Sequence, residues 1–356
     1  MQKGGIMKKV ILGFSGGIDS FYTAYLLKEQ RFKVFPVYFK VLPDISTEKA
    51  EESASILGLG LTVIDLSDEF RKKVINHFIE YYKKGLTPNP CAICNKDIKL
   101  KYLYELSKEL KADFISTGHY AKVSYFDKWK KNLILRGKDK RKEQSYFLSL
   151  VEKFVFQKLL LPLGNFTKEE VVLRAQELGF PFESESQDIC FIEGHYVNFL
   201  EKFIKPKPGV FVLIDGTPVG KHKGYYKYTV GQRRGLGISY TKPLYVISID
   251  AKRNRVIVGE KKEIQKDIIY VKNINWHLDY EVVKKFDTIQ VQIRYRSKPV
   301  EVEKIDYLKN GIFCVKLAAK VDAPAPGQVC AFYSNELLLG GGEITTEGEG
   351  IWKEVL

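Results

Sequence analysis

Residues 13–20 read Gly13-Phe14-Ser15-Gly16-Gly17-Ile18-Asp19-Ser20. The run follows a short apolar stretch and opens one with helical spacing. Adjacent glycines let a backbone come close to a ligand, and the first N–H groups of a helix offer partial positive charge to an anion. Ser15 and Ser20 add hydroxyls. The pattern predicts a phosphate or pyrophosphate site. It is not a Walker A loop, because no Gly-Lys-Ser/Thr follows, and the G-x-G-x-x-G spacing of a dinucleotide fold is absent.

Sulfur is the second chemical resource. The chain has five cysteines. Cys91 and Cys94 have C-x-x-C spacing within Thr87-Pro88-Asn89-Pro90-Cys91-Ala92-Ile93-Cys94-Asn95. That spacing suits two thiolates on one metal or a redox pair. No second C-x-x-C or H-x₃-H pair completes a zinc site. The two prolines predict an extended, non-helical approach to Cys91. Cys190 lies in Ser186-Gln187-Asp188-Ile189-Cys190-Phe191, just ahead of a helical stretch. Cys314 and Cys330 alternate with apolar residues and read as core.

The elements that must position these groups alternate in type. Lys9–Phe14, Lys33–Phe39, Leu61–Leu66 and Phe114–Thr117 read as strands. Ile18–Gln30, Glu48–Leu57, Ser67–Lys84 (capped by Ser67 or Asp68, stopped by Gly85) and Lys96–Leu110 read as helices. This repetition implies parallel strands with right-handed crossovers. Helical stretches at Thr167–Leu178 and His195–Ile204 extend the α/β unit to about residue 205. The run Lys205-Pro206-Lys207-Pro208-Gly209 reads as a linker. Short β runs follow at Gly209–Ile214, Pro243–Asp250 and Arg255–Val258, with Asp215-Gly216 as a hairpin turn. Further runs at Thr288–Tyr295, Gly311–Leu317, Gln328–Phe332 and Leu337–Gly341 read as a small β-barrel. The expected units are 1–205, 206–267 and 268–356.

The chain of 356 residues carries a net charge of +14. Residues 201–300 hold 21 basic and 9 acidic side chains, while 151–200 hold 4 and 8. A concentrated basic excess favours a polyanion through counterion release. Lys128 to Lys142 adds eight basic residues against one acidic, with Trp129 among them, and reads as a loop that orders on RNA. No apolar run approaches a membrane span, and Met1 to Lys9 has no apolar h-region behind it. The expected setting is the cytoplasm, without a membrane partner.

The glycine loop resembles the PP-loop of ATP pyrophosphatases, which split ATP between the α and β phosphates. Over nearly the whole chain the resemblance narrows to bacterial tRNA-specific 2-thiouridine synthases. It is carried by the Ser15–Ser20 loop, Asn89-Pro90 with Cys94-Asn95, Thr117-Gly118-His119-Tyr120 and Gln144-Ser145-Tyr146-Phe147-Leu148. It continues through Ser186–Phe191, His222-Lys223-Gly224, Tyr228–Gly237, Arg294-Tyr295-Arg296 and Ala325-Pro326-Gly327-Gln328. The family fold it implies is an N-terminal PP-loop (HUP-like) α/β domain, a small mostly β central domain and a C-terminal β-barrel.

The implied reaction adenylates O2 of the wobble uridine with ATP and Mg2+, after which sulfur attacks C2 and AMP leaves. The resemblance implies nucleotide binding by Gly13, Phe14, Ser15, Gly16, Gly17, Ile18, Asp19 and Ser20, with Phe39 and Gly118 on the adenosine. Asn89, Pro90 and Cys91 would line the flipped-out base. Cys94 would be the nucleophile and Cys190 the persulfide carrier. His119, Lys142, Glu143, Gln144, Arg294, Tyr295 and Gln328 would contact tRNA, with Arg233, Arg234, Arg296 and Lys298 on phosphates. His222 and His277 are placed on the RNA side. The expected partners are Lys, Glu and Gln tRNAs and a sulfur donor, either a sulfur-relay protein or cysteine desulfurase, or inorganic sulfide.

One departure bears on the sulfur step. Much of the family has Asp where this chain has Cys91. Two routes therefore stand open. In one, Cys94 and Cys190 shuttle sulfur through a disulfide. In the other, Cys91, Cys94 and Cys190 ligate a [4Fe–4S] cluster whose open iron delivers sulfide. Two rival classes are another ATP pyrophosphatase ligase, which the basic region 201–300 disfavours, and a non-catalytic RNA binder, which the intact loop and three placed cysteines disfavour.

Overall fold

The computed structural model describes residues 7–181 and 189–348. Its N-terminal unit is a five-stranded parallel sheet with Lys9–Gly13 at the centre. Lys33–Lys40 and then Thr62–Asp65 lie on one side, Phe114–Ser116 and then Leu159–Leu160 on the other. Val10, Ile11 and Leu12 are all buried, as a strand covered on both faces requires. Val10 and Leu12 join Phe21, Ala24 and Leu27 of the helix Ile18–Glu29 on one face. Ile11 joins Leu100 and Leu103 on the other. The strand order reverses between Lys9–Gly13 and Phe114–Ser116. A crevice at the carboxyl ends of such strands is where open α/β sheets bind ligands.

Two helices depart from expectation. The 67–83 helix is capped by neither Ser67 nor Asp68. The Asp65 carboxylate accepts the Ser67 N–H at 2.9 Å, and the register opens into a π turn over Arg71–Ile75. The second helix starts earlier than expected, at Pro90, with Cys91 and Cys94 inside its first turns. Pro88 precedes it, but Pro90 occupies N1, where a missing N–H costs nothing. Asn89 is the cap, its Oδ1 accepting the Ala92 N–H at 3.0 Å. A second π turn spans Asn95–Lys99 before the helix continues over Leu100–Glu109.

The central unit is a four-stranded sheet of Gly209–Val212, Pro218–His222, Tyr245–Asp250 and Arg255–Gly259. Asp215-Gly216 makes the expected turn, with Gly216 at φ +92°. The strands Gln265–Trp276, Ile312–Asp322, Val300–Tyr307, Gln290–Gln292, Val329–Ser334 and Leu337–Thr345 pair in that order, and the last pairs back onto the first to close a barrel. Thr288–Tyr295 shrinks to Gln290–Gln292. Gln265–Trp276 and Val300–Tyr307 had no counterpart in the sequence reading.

The basic segment 128–142 is not a loop waiting for RNA. Lys131–Arg136 pairs with Ala121–Phe126 as a hairpin and joins the barrel through Leu135 opposite Leu337. Leu133 enters the barrel core, and Trp129 packs between Phe126 and Phe286. Its apolar residues dictate this despite the charge around them. His222 and His277 are also core residues. His222 lies against Phe211 and Tyr228, and His277 against Phe156, both buried. Among the described residues no helix is long and apolar enough to cross a membrane.

Candidate active site

Gly17 caps the helix Ile18–Glu29 without a side-chain hydrogen bond, so the first amides of that helix stay available to an anion. Gly16 has φ +76°, and a Cβ there would sit 2.6 Å from Ala50 Cα. Only glycine satisfies both constraints. Ser20 braces the loop, donating to the Gly17 carbonyl at 2.8 Å and accepting the Ser15 N–H at 3.2 Å. Ser15 is exposed, whereas Phe14 and Ile18 are buried and anchor the turn. Gly118 packs on the loop, a Cβ there falling 3.0 Å from the Asp19 carbonyl carbon. Phe39, half-buried, ends the adjacent strand Lys33–Lys40. The Asp19 carboxylate accepts from Tyr120 Oη at 2.7 Å and pairs with Lys168 Nζ at 2.6 Å.

The thiols gather about Lys99, whose charge is also felt by His119. Cys94 is 6% exposed, Cys91 is half-buried and Cys190 is exposed. Burial pushes the Cys94 thiol up to about 12, opposed by Lys99, whose own backbone N–H also donates to the sulfur. The π turn thus brings Lys99 back over Cys94. Cys94, then Cys190 and Cys91, hold the Lys99 ammonium above its usual range. His119 is pushed down to about 3 by burial, with Lys99 adding to the effect, and its Nδ1 is 2.7 Å from Thr117 Oγ1. The imidazole is therefore neutral, and Lys99 is a cation of the sulfur pocket. Sequence reasoning missed Lys99 because Lys96 stands three residues away with nothing to separate the two.

The iron–sulfur expectation finds no support in this geometry. Among the described residues no three His, Cys, Asp or Glu side chains are grouped so as to hold a metal ion. Cys91 and Cys94 share one helical turn, and Cys190 stands on a separate segment. No disulfide joins any of the five cysteines. Ser186, Gln187 and Asp188 of the third cysteine's motif lie outside the described residues.

The expected tRNA contacts fall into two groups. Arg294, Arg296, Lys298, Arg233 and Arg234 are exposed. With Lys142, Arg296 and Lys298 line a groove of about 1160 Å³ between the α/β unit and the barrel. Others are already engaged. Tyr295 packs against Phe147 in a tilted arrangement with ring centroids 4.5 Å apart. Glu143 is buried, accepting from Arg136 at 3.1 Å and from the Ser145 N–H at 2.6 Å. Gln144 Oε1 accepts the Tyr120 N–H at 3.0 Å.

Gln328 is the most informative case. Its Nε2 donates to the Thr87 carbonyl at 3.2 Å and the Pro88 carbonyl at 3.0 Å, clamping the strap that leads into Asn89, Pro90 and Cys91. Gln328→Ala is expected to strand these carbonyls, costing about 1–3 kcal/mol of stability. It should lower turnover while leaving tRNA affinity within about threefold, since 1.4 kcal/mol corresponds to tenfold. Thermal melting and filter binding measure the two, and a loss of affinity at unchanged turnover would make Gln328 an RNA contact instead.

A strand-switch crevice holding an uncapped glycine loop, with two β modules after it and a basic groove against the barrel, defines a PP-loop nucleotide protein. Residues 8–194 match the family model described as tRNA methyl transferase HUP domain. Residues 197–260 match the tRNA methyl transferase PRC-barrel domain, and 266–344 the aminomethyltransferase beta-barrel domain. The chain is 41% identical over 355 residues to the tRNA-specific 2-thiouridylase MnmA of Aquifex aeolicus (strain VF5), covering 94% of this chain and 98% of that one. It is 40% identical over 358 residues to the enzyme of the same name from Persephonella marina (strain DSM 14350 / EX-H1), covering 94% and 99%. The chain belongs to this family, the bacterial tRNA-specific 2-thiouridylases of the PP-loop superfamily.

Proposed function

We propose that this chain uses ATP to thiolate C2 of the wobble uridine in tRNA. The observation that carries the reading is the juxtaposition around Gly118 and His119. Gly118 packs against Asp19 of the nucleotide loop, and the next residue, His119, lies within the field of Lys99, the cation coupled to Cys94 and Cys190. Residues 1–205 would do the chemistry, and 206–267 and 268–356 would hold the RNA. Lys, Glu and Gln tRNAs are the substrates expected from the family.

The C2 carbonyl is a poor electrophile with a poor leaving group. Transfer of AMP to O2 converts that oxygen into a good one. The loop amides would bind the phosphates, with Phe39 and Gly118 beside the adenosine. Mg2+ would be held by oxygen donors such as the Asp19 carboxylate and the Ser15 hydroxyl and would neutralise phosphate charge there. The base would lie by Asn89, Pro90 and Cys91.

For the sulfur step the exposed Cys190 suits loading by a donor protein. Its terminal persulfide sulfur attacks C2, and AMP departs with the C2–O2 bond's electron pair. Cys94 then attacks the Cys190 sulfur, breaking the S–S bond, leaving sulfur on the nucleoside and forming a Cys94–Cys190 disulfide. A thiol reductant restores both cysteines. Lys99 offsets the thiolate charge throughout. Cys91 has no part in this route.

Pyrophosphate release tests the reading. The chain with ATP, unmodified tRNA and a persulfide donor should release pyrophosphate and AMP in equal amounts, and far more slowly without tRNA. Release that ignores tRNA, or of ADP and phosphate instead, would remove it.

A further inference from the structure

Lys168 belongs to none of the sequence motifs above. It is the first residue of the helix Lys168–Glu177, its side chain is 12% exposed, and its ammonium meets Asp19 of the glycine loop at 2.6 Å. Its backbone is held separately. The Lys168 N–H donates to Asp139 Oδ2 at 2.8 Å, while Asp139 Oδ1 accepts the Arg141 N–H at 2.9 Å. Asp139 is buried within the basic segment, and Lys168 lines the basic groove. Neighbouring ion pairs fix the same junction: Lys138 with Glu170 at 2.8 Å, Lys140 with Glu336 at 2.9 Å and Arg141 with Glu169. A second route runs parallel to the first. Tyr120 donates through its hydroxyl to Asp19 and through its N–H to Gln144.

We propose that Lys168 is the cation that receives the pyrophosphate leaving group, and that its attachment to Asp139 makes that cation depend on the groove being properly formed. The proposal rests on the ATP-dependent reading above. Asp19 is the second residue of the loop helix, so an ammonium on its carboxylate stands beside the amides that would bind phosphate. In adenylation the uridine O2 forms a bond to the α phosphorus. The bond to the α–β bridging oxygen breaks, and its electron pair leaves with pyrophosphate. Charge therefore grows on the phosphates next to Lys168. A fixed, nearly buried cation there stabilises the transition state more than the ground state. In the empty loop Asp19 keeps the ammonium in place, and the anionic ligand then takes over as its partner.

The test compares the full chain with Lys168→Met and Lys168→Arg. Magnesium pyrophosphate titrated calorimetrically should bind Lys168→Met at least about tenfold more weakly, a loss that corresponds to 1.4 kcal/mol. Pyrophosphate release with tRNA should fall about 100-fold or more, with tRNA affinity held and Lys168→Arg recovering much of both. Equal pyrophosphate affinity in wild type and Lys168→Met overturns the proposal, as does an Lys168→Arg variant no better than Lys168→Met. If neither variant folds, acetylation of Lys168 in the wild-type chain decides. Magnesium pyrophosphate should suppress it while leaving Lys138 unaltered, and unchanged labelling overturns the proposal. A wild-type chain that binds pyrophosphate at Lys168 but releases none with tRNA would instead count against the thiolation reading.

Discussion

Asp19→Asn is expected to abolish adenylation, with pyrophosphate release falling by about 1000-fold while tRNA affinity stays within a few-fold. The substitution keeps an acceptor for Tyr120 but removes the charge that pairs with Lys168 at 2.6 Å. The helix start loses its one acidic first-turn residue, and with it a ligand suited to the metal that accompanies ATP. None of these groups belongs to the exposed arginines of the barrel, so RNA binding should persist. Asp19→Asn with full turnover would show that residues 13–20 are a structural turn.

Cys94→Ala has the second large effect. It should eliminate thiolation with a persulfide donor while a first turnover of pyrophosphate release still occurs, separating the sulfur half of the reaction from the ATP half. Cys91→Ala should thiolate normally, because the proposed disulfide route uses only Cys94 and Cys190. Loss of thiolation in Cys91→Ala, together with loss of bound iron, would reverse that conclusion. The thiols should also differ in reactivity. With Cys94 pushed up to about 12 by burial, its thiolate fraction rises tenfold per pH unit below that value. Alkylation by iodoacetamide should therefore reach exposed Cys190 first, and reach Cys94 appreciably only at alkaline pH.

The parts of this architecture that repeat a simple period were legible in the sequence. Lys9–Gly13 and Lys33–Lys40 are buried parallel strands and read as continuous apolar runs. The Gly16-Gly17 turn could be located because few other residues tolerate its conformation. Legibility failed where tertiary contacts override local signals. Val300–Tyr307 loses its alternation at Glu303-Lys304, where the register shifts, and its strand is secured by pairing with Ile312–Asp322. The helix reads as starting at Lys96 because Pro88 and Pro90 look like breakers, yet at N1 proline starts a helix. The largest gap lay in long-range pairs. Lys168 lies 149 positions from Asp19 and Gln328 lies 240 from Pro88, and no spacing rule joins residues so far apart. His277 shows the converse error, since a histidine in a basic region looks RNA-facing until the barrel closes over it.

The most direct measurement is mass spectrometry of nucleosides from tRNA incubated with the chain, ATP, Mg2+ and a persulfide or sulfide donor. The account predicts a 2-thiouridine nucleoside at the wobble position, dependent on ATP, with one AMP released per thionucleoside formed. Uridine left unchanged while AMP accumulates, or a methylated product in place of a thiolated one, would contradict it.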